Sequence, residues 1–68
     1  MLLSIVVPVY NEEENIANFY KAVTDVMSGL TYDYELIFVD DGSSDSSAMI
    51  LREIAYNDKH VKVLLLAR

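Results

Sequence analysis

Residues Tyr34–Ser47 read YELIFVDDGSSDSS. The apolar run Leu36–Val39 stops on two adjacent aspartates, a glycine, and serines flanking a third aspartate. A short run of branched and aromatic residues bounded by Asp, Gly and Ser reads as a buried strand, here Tyr34 to Val39, ending at Asp40 and Asp41. Gly42 to Ser46 read as a turn, and Ser43 or Ser44 as the cap of a following helix. The stretch therefore predicts strand, turn, helix, with paired carboxylates where the strand ends.

The rest of the chain repeats this order. Downstream, Ala48, Leu51, Ile54 and Ala55 form the buried side of a helix that Asn57 and Asp58 break. Val61 to Ala67 is again nearly all apolar and reads as a third strand. Upstream, Leu2–Val9 is a continuous apolar run interrupted by Ser4 and Pro8, the pattern of a strand buried on both faces. Pro8 has no N–H and biases Val7 toward extended backbone, so that strand finishes there. Asn11 can cap the next helix, and Glu12, Glu13 and Glu14 suit its positive end. Ile16, Phe19, Tyr20, Val23, Val26, Met27 and Leu30 recur every three or four residues as one helical stripe, with Gly29 as its stop. The result is an α/β fold, β-α-β-α-β, with parallel strands and right-handed crossovers. Parallel strands all end on one edge, so the segments Pro8–Glu14 and Asp40–Ser47 should lie side by side there. Ligands of open α/β sheets bind outside that edge.

Composition narrows the ligand. The chain has 68 residues, with eleven acids against five bases and a net charge of −6. That balance disfavours nucleic acid, which needs a basic surface, and anionic lipid. A phosphorylated ligand would call for a divalent cation. Without cysteine, disulfides and thiolate metal sites are excluded. The start MLLSIVVPVY lacks the basic region and cleavage site of a signal peptide. The apolar runs fall well short of the roughly 20 residues of a membrane span.

Several readings of the acidic junction fail on spacing. Asp41, Ser43, Asp45 and Ser47 have the rhythm of a calcium loop, but Ser46 and Arg52 stand where its glycine and bidentate glutamate belong. Neither Gly-x-Gly-x-x-Gly nor the P-loop pattern occurs. His60, the one histidine, falls at the far edge of the sheet and reads as a surface residue, so no nucleophilic triad assembles. A phosphoacceptor receiver would carry its acid pair after the first strand, not the second. Two readings stay open. In one, the aspartates cap the turn and helix. In the other, one carboxylate accepts the N–H donors of a nucleobase beside the ring of Tyr10, while its neighbour turns inward to fix the loop.

SIVVPVYNEEENI (Ser4–Ile16), YELIFVDDGSSD (Tyr34–Asp45) and the terminal LLLAR (Leu64–Arg68) together resemble the N-terminal part of family 2 glycosyltransferases of the GT-A, Rossmann-like fold. The similarity is greatest to the polyprenyl-phosphate group, the dolichol-phosphate mannosyltransferases and bactoprenol glucosyltransferases. The resemblance implies that Pro8, Tyr10, Asn11 and Glu12 belong to a first nucleotide-binding segment, with the tyrosine against the base. It implies that Asp40 and Asp41 form the second, with Asp41 on the base and Asp40 supporting the loop. Arg68 matches a basic residue near the nucleotide. Glu13 and Glu14 fit the pattern but read as a solvated helix start.

By the same resemblance, a UDP- or GDP-sugar is the donor and polyprenyl phosphate or another acceptor receives the sugar. Mg2+ or Mn2+ is expected on an Asp-x-Asp strand beyond residue 68. Residues 1–68 then amount to a partial domain with no catalytic residue and no metal ligand of its own, inactive alone and prone to self-association. The whole protein would work in the cell envelope, at the cytoplasmic face of the membrane. A non-catalytic nucleotide-binding module of the same fold is the alternative. It would keep Tyr10 and Asp41 and need no Asp-x-Asp.

Overall fold

The computed structural model describes residues 2–30 and 33–66. They form β1 (Leu2–Val9), α1 (Ile16–Met27), β2 (Asp33–Asp41), α2 (Ser47–Asn57) and β3 (Val61–Leu66). The strands make a parallel sheet in the order β1-β2-β3. Two crossovers of one hand that step the same way across a sheet put both helices on the same face. The core shows this arrangement. Val9, Leu36, Phe38 and Val61 from the strands meet Ile16 of α1 and Leu51 of α2, with Ile5, Val7, Tyr20, Val23, Ile54 and Val63 packed around them.

Alternation along β2 decides the rest. Leu36, Phe38 and Asp40 point to the helix side and are buried. Glu35, Ile37, Val39 and Asp41 lie on the opposite face, which neither helix covers. That face carries Val6, 62% exposed, with Leu2, Leu64 and Leu66. β1 is therefore half-covered, where its continuous apolar run predicts burial on both faces. Within the described residues it also pairs on one side alone, with β2. Glu35 on this face accepts from Ser4 and pairs with Lys62 at 3.0 Å. These contacts hold its carboxyl below the usual range.

The helix boundaries correct three expectations. α1 starts at Ile16 with Asn15 as its cap, not after Asn11, whose φ of 50° is left-handed. Ser46 stands at the N-cap position of α2 without a side-chain capping bond, while Ser43 and Ser44 are engaged with Asn11. Val26 belongs to the predicted stripe but is 67% exposed, because the inward line of α1 runs Ile16, Tyr20, Val23, Met27.

At the N-terminal edge of the sheet a polar cluster joins three elements. Tyr20 of α1 donates its hydroxyl to Asp58, just past α2, and Asp58 also accepts the His60 backbone N–H at 2.9 Å. The His60 ring stacks on Tyr34 of β2 at 4.3 Å, and its Nδ1 lies 3.0 Å from the Tyr34 carbonyl. His60 is thus at the far edge, as its position predicts, but half-buried and held rather than loose on the surface. The bond to Asp58, with burial, pushes the Tyr20 hydroxyl from 10.0 up to about 12. Burial opposes ionisation of Asp58, yet the Tyr20 hydroxyl, the His60 N–H and the imidazole hold its carboxyl below the ordinary range.

Candidate functional site

The C-terminal ends of β1 and β2 bring the two predicted segments together. Val9 pairs with Asp40, so Tyr10 and Asp41 follow at adjacent positions on the rim. Tyr10 is 49% exposed. Each stands directly before a left-handed residue, Asn11 at φ 50° and Gly42 at φ 75°. Glycine adopts that conformation without steric cost, and asparagine tolerates it. These two residues turn the chain out of its strands.

The paired aspartates separate by the pleat. Asp40, on the helix side, is 3% exposed, and its Oδ1 accepts both the backbone N–H (3.1 Å) and the hydroxyl of Ser43. Burying a carboxylate demands such donors. Asp41, one residue on, lies toward the uncovered face and is half-buried. The sequence presents two equal carboxylates; the fold makes one a loop support and leaves the other at the rim.

The two loops are then stitched together. Asn11 N–H donates to Ser43 Oγ (2.9 Å), Glu12 N–H to Ser47 Oγ (2.9 Å) and Glu13 N–H to Asp45 Oδ2 (3.3 Å). In return Asn11 Oδ1 accepts from the N–H groups of Ser44 (2.8 Å) and Asp45 (3.4 Å), and Glu13 Oε2 accepts from that of Ser46 (3.0 Å). Asp45 Oδ1 also takes the Ser47 N–H at 2.9 Å, and the Ser47 bonds hold the Asp45 carboxyl low. Ser47 is fully buried. Sequence reasoning missed this role for Glu13, Ser43, Asp45 and Ser47. The available signal was the pairing of two turn segments, each rich in backbone donors, with short Asn, Asp and Ser acceptors in both.

Of the other predicted site residues, Pro8 lies at the end of β1, exposed on the uncovered face. Glu12 is exposed, and its Oε2 accepts from Asn15 Nδ2 at 3.0 Å. Arg68 lies outside the described residues. A polar recess of about 270 Å³ is lined by Asn11, Glu12, Glu13, Glu14, Asn15 and Asp45. An apolar groove of about 250 Å³ runs beside it between Pro8, Phe19 and Phe38. Acidic as the rim is, no three His, Cys, Asp or Glu side chains among the described residues are grouped to hold a metal ion. The carboxylates of Asp40, Asp45 and Glu13 are turned instead to N–H and hydroxyl donors.

This geometry can be set beside known proteins. The family model described as glycosyl transferase family 2 matches residues 4–68. The chain belongs to this family. An undecaprenyl-phosphate 4-deoxy-4-formamido-L-arabinose transferase of Proteus mirabilis is 46% identical over 67 residues, which is 97% of this chain and 21% of that protein. A prophage bactoprenol glucosyl transferase homolog of Escherichia coli is 41% identical over 68 residues, all of this chain and 22% of the relative. An uncharacterized glycosyltransferase of Bacillus subtilis is 49% identical over 65 residues, 96% of this chain and 20% of the relative. The family 2 chain thus spans about a fifth of the length of these relatives. No helix among its described residues is long and apolar enough to cross a membrane.

Proposed function

We propose that this family 2 chain is part of the donor-nucleotide region of a glycosyltransferase that moves a sugar from a UDP- or GDP-sugar to polyprenyl phosphate. The observation that carries the reading is the Val9–Asp40 pairing, which sets Tyr10 beside Asp41 on the ligand-binding edge of a parallel sheet. A phenol ring offers a face for a base to stack on. A carboxylate accepts two N–H donors, and uracil and guanine both present N–H groups on the edge that would meet it. Asp40, held by Ser43, keeps the turn from which Asp41 projects. Polyprenyl phosphate as acceptor is supported by the names of two relatives, which carry undecaprenyl phosphate or bactoprenol.

On this reading, residues 1–68 bind and orient the nucleotide but supply neither an acceptor surface nor a catalytic base. A Mg2+ or Mn2+ ion would take its ligands from outside this segment and offset the diphosphate charge. The whole protein would act at the cytoplasmic face of the membrane.

The test is transfer. The full-length protein carrying this segment, given labelled UDP-glucose or GDP-mannose, Mn2+ and undecaprenyl phosphate, should form labelled glycolipid with one of the two donors. Residues 1–68 alone should form none. Turnover by the isolated segment would overturn the division of labour. Binding of UDP or GDP by the full-length protein without transfer to any acceptor would favour a non-catalytic nucleotide-binding module.

A further inference from the structure

The stitched loops have a consequence beyond holding themselves together. Tyr10 and Asp41 come from different strands, and each is followed at once by a left-handed residue that turns the chain away. Strand pairing brings the Tyr10 and Asp41 backbones side by side, but the paths of the two loops that leave them, and with them the set of the side chains at the rim, depend on what joins the loops. Six backbone N–H groups, three from each loop, donate to side chains of the opposite loop or, for Ser47, of the helix start that follows it. Asn11 is central, because it sits directly after Tyr10 and its Oδ1 receives two of the six. Ser47 closes the base of the junction from a fully buried position.

We infer that Asn11 and Ser47 are positioning residues, which clasp the two loops so that Tyr10 and Asp41 meet a ligand as one preformed surface. The inference rests on the nucleotide reading above, and it changes the role expected of Asn11 from ligand contact to clasp. It also accounts for the serine run. Ser43 and Ser47 are acceptors for the first loop's N–H groups, so these donors are spent within the protein and are not offered to phosphate. Affinity then depends on the spacing of the side chains that do face the ligand.

Substitutions in the full-length protein separate the roles. Asn11→Gly keeps the left-handed backbone and deletes the acceptor. Asn11→Asp keeps Oδ1 and deletes the amide donors. Ser47→Ala deletes an acceptor that no ligand can reach. Binding is read by calorimetry with UDP and GDP, well below each variant's melting midpoint. Uridine and guanosine are run alongside, so that repulsion between an added carboxylate and phosphate is not mistaken for a lost contact. Asn11→Gly and Ser47→Ala should each weaken binding roughly ten-fold, the effect of losing a fixed hydrogen-bond geometry, while Asn11→Asp stays within about three-fold for the nucleosides. Amide exchange at Ser44 and Asp45 should speed up in Asn11→Gly and not in Asn11→Asp. If Asn11→Gly and Ser47→Ala bind as the parent while Asp41→Asn does not, the clasp does no positioning and the nucleotide reading stands. If Asn11→Asp is as weak as Asn11→Gly for the nucleosides, Asn11 touches the ligand and the inference fails. If Asp41→Asn also binds as the parent, the nucleotide reading falls and the clasp's role falls with it.

Discussion

The two ends of the sheet use polar groups in opposite ways. At the N-terminal edge, Tyr20, Asp58, His60 and Tyr34 bond and stack with one another across three elements, two contacts being side chain to side chain and two using the His60 N–H and the Tyr34 carbonyl. At the C-terminal edge, the side chains mostly bond backbone N–H groups of two loops. The first arrangement closes a corner of the fold. The second fixes the path of the main chain and leaves Tyr10 and Asp41 at the rim between the loops. Similar residue types thus serve stability at one end and presentation of a surface at the other. What separates them is that the first cluster closes on its own four residues, whereas the second spans two loops and bonds the backbone N–H groups of both.

Breaking each end in turn sharpens this contrast. The largest expected effect is at the rim's one buried carboxylate. Asp40→Ala leaves the N–H and hydroxyl of Ser43 without their acceptor, at a cost of about 2–3 kcal/mol. The loss should appear as a lower melting midpoint, readable by calorimetry. At the opposite end, Tyr20→Phe should cost about 1–2 kcal/mol at neutral pH and leave nucleotide binding untouched. It should also change the alkaline limb. The Tyr20 pKa is raised, so its contribution is complete below pH 10.0 and is lost as pH climbs toward about 12. Denaturant midpoints of the parent should fall across that window, and those of Tyr20→Phe should fall less. Tyr34, also pushed up by burial, leaves a residual slope. The smallest effect belongs to Asp45→Asn. Its folded pKa is lowered, so its contribution is present above the unfolded carboxylate value and disappears as pH falls through the folded one. The variant's midpoint should sit slightly below the parent's at pH 7 and merge with it in acid. A midpoint deficit that persists in acid would show that its charge is not what holds Ser47 and the Glu13 N–H.

Much of this was legible in the residues. The apolar runs and their turn signals gave the five elements in order, and parallel pairing alone required the Pro8 and Asp40 segments to meet. The split between Asp40 and Asp41 follows from strand alternation once Leu36 and Phe38 are known to face the helices. Other features were hidden for physical reasons. β1 keeps Leu2 and Val6 on its uncovered face, with Ser4 and Pro8 as the sole marks of it, so its nearly continuous apolar run did not reveal that one face stays open. The α1 start was misplaced because Asn11 and Asn15 are both good caps, and it is tertiary bonding to the second loop that claims Asn11. The roles of Ser43, Asp45 and Ser47 depend on contacts more than thirty residues away in sequence, which no local pattern encodes.

The central claim is that the second strand ends on two carboxylates because one builds the turn and the other reads a base. Calorimetric titration of the full-length parent and Asp41→Asn with UDP and GDP tests it most directly. Asparagine keeps the shape but offers a weaker neutral acceptor, or an NH2 group facing another donor. A hydrogen bond to a charged group contributes roughly 1.5–3 kcal/mol, so the variant should bind about ten- to a hundred-fold more weakly. Its ligand-free melting midpoint should fall less than that of Asp40→Ala. An Asp41→Asn variant that binds UDP and GDP as tightly as the parent would contradict the account and return both aspartates to the turn.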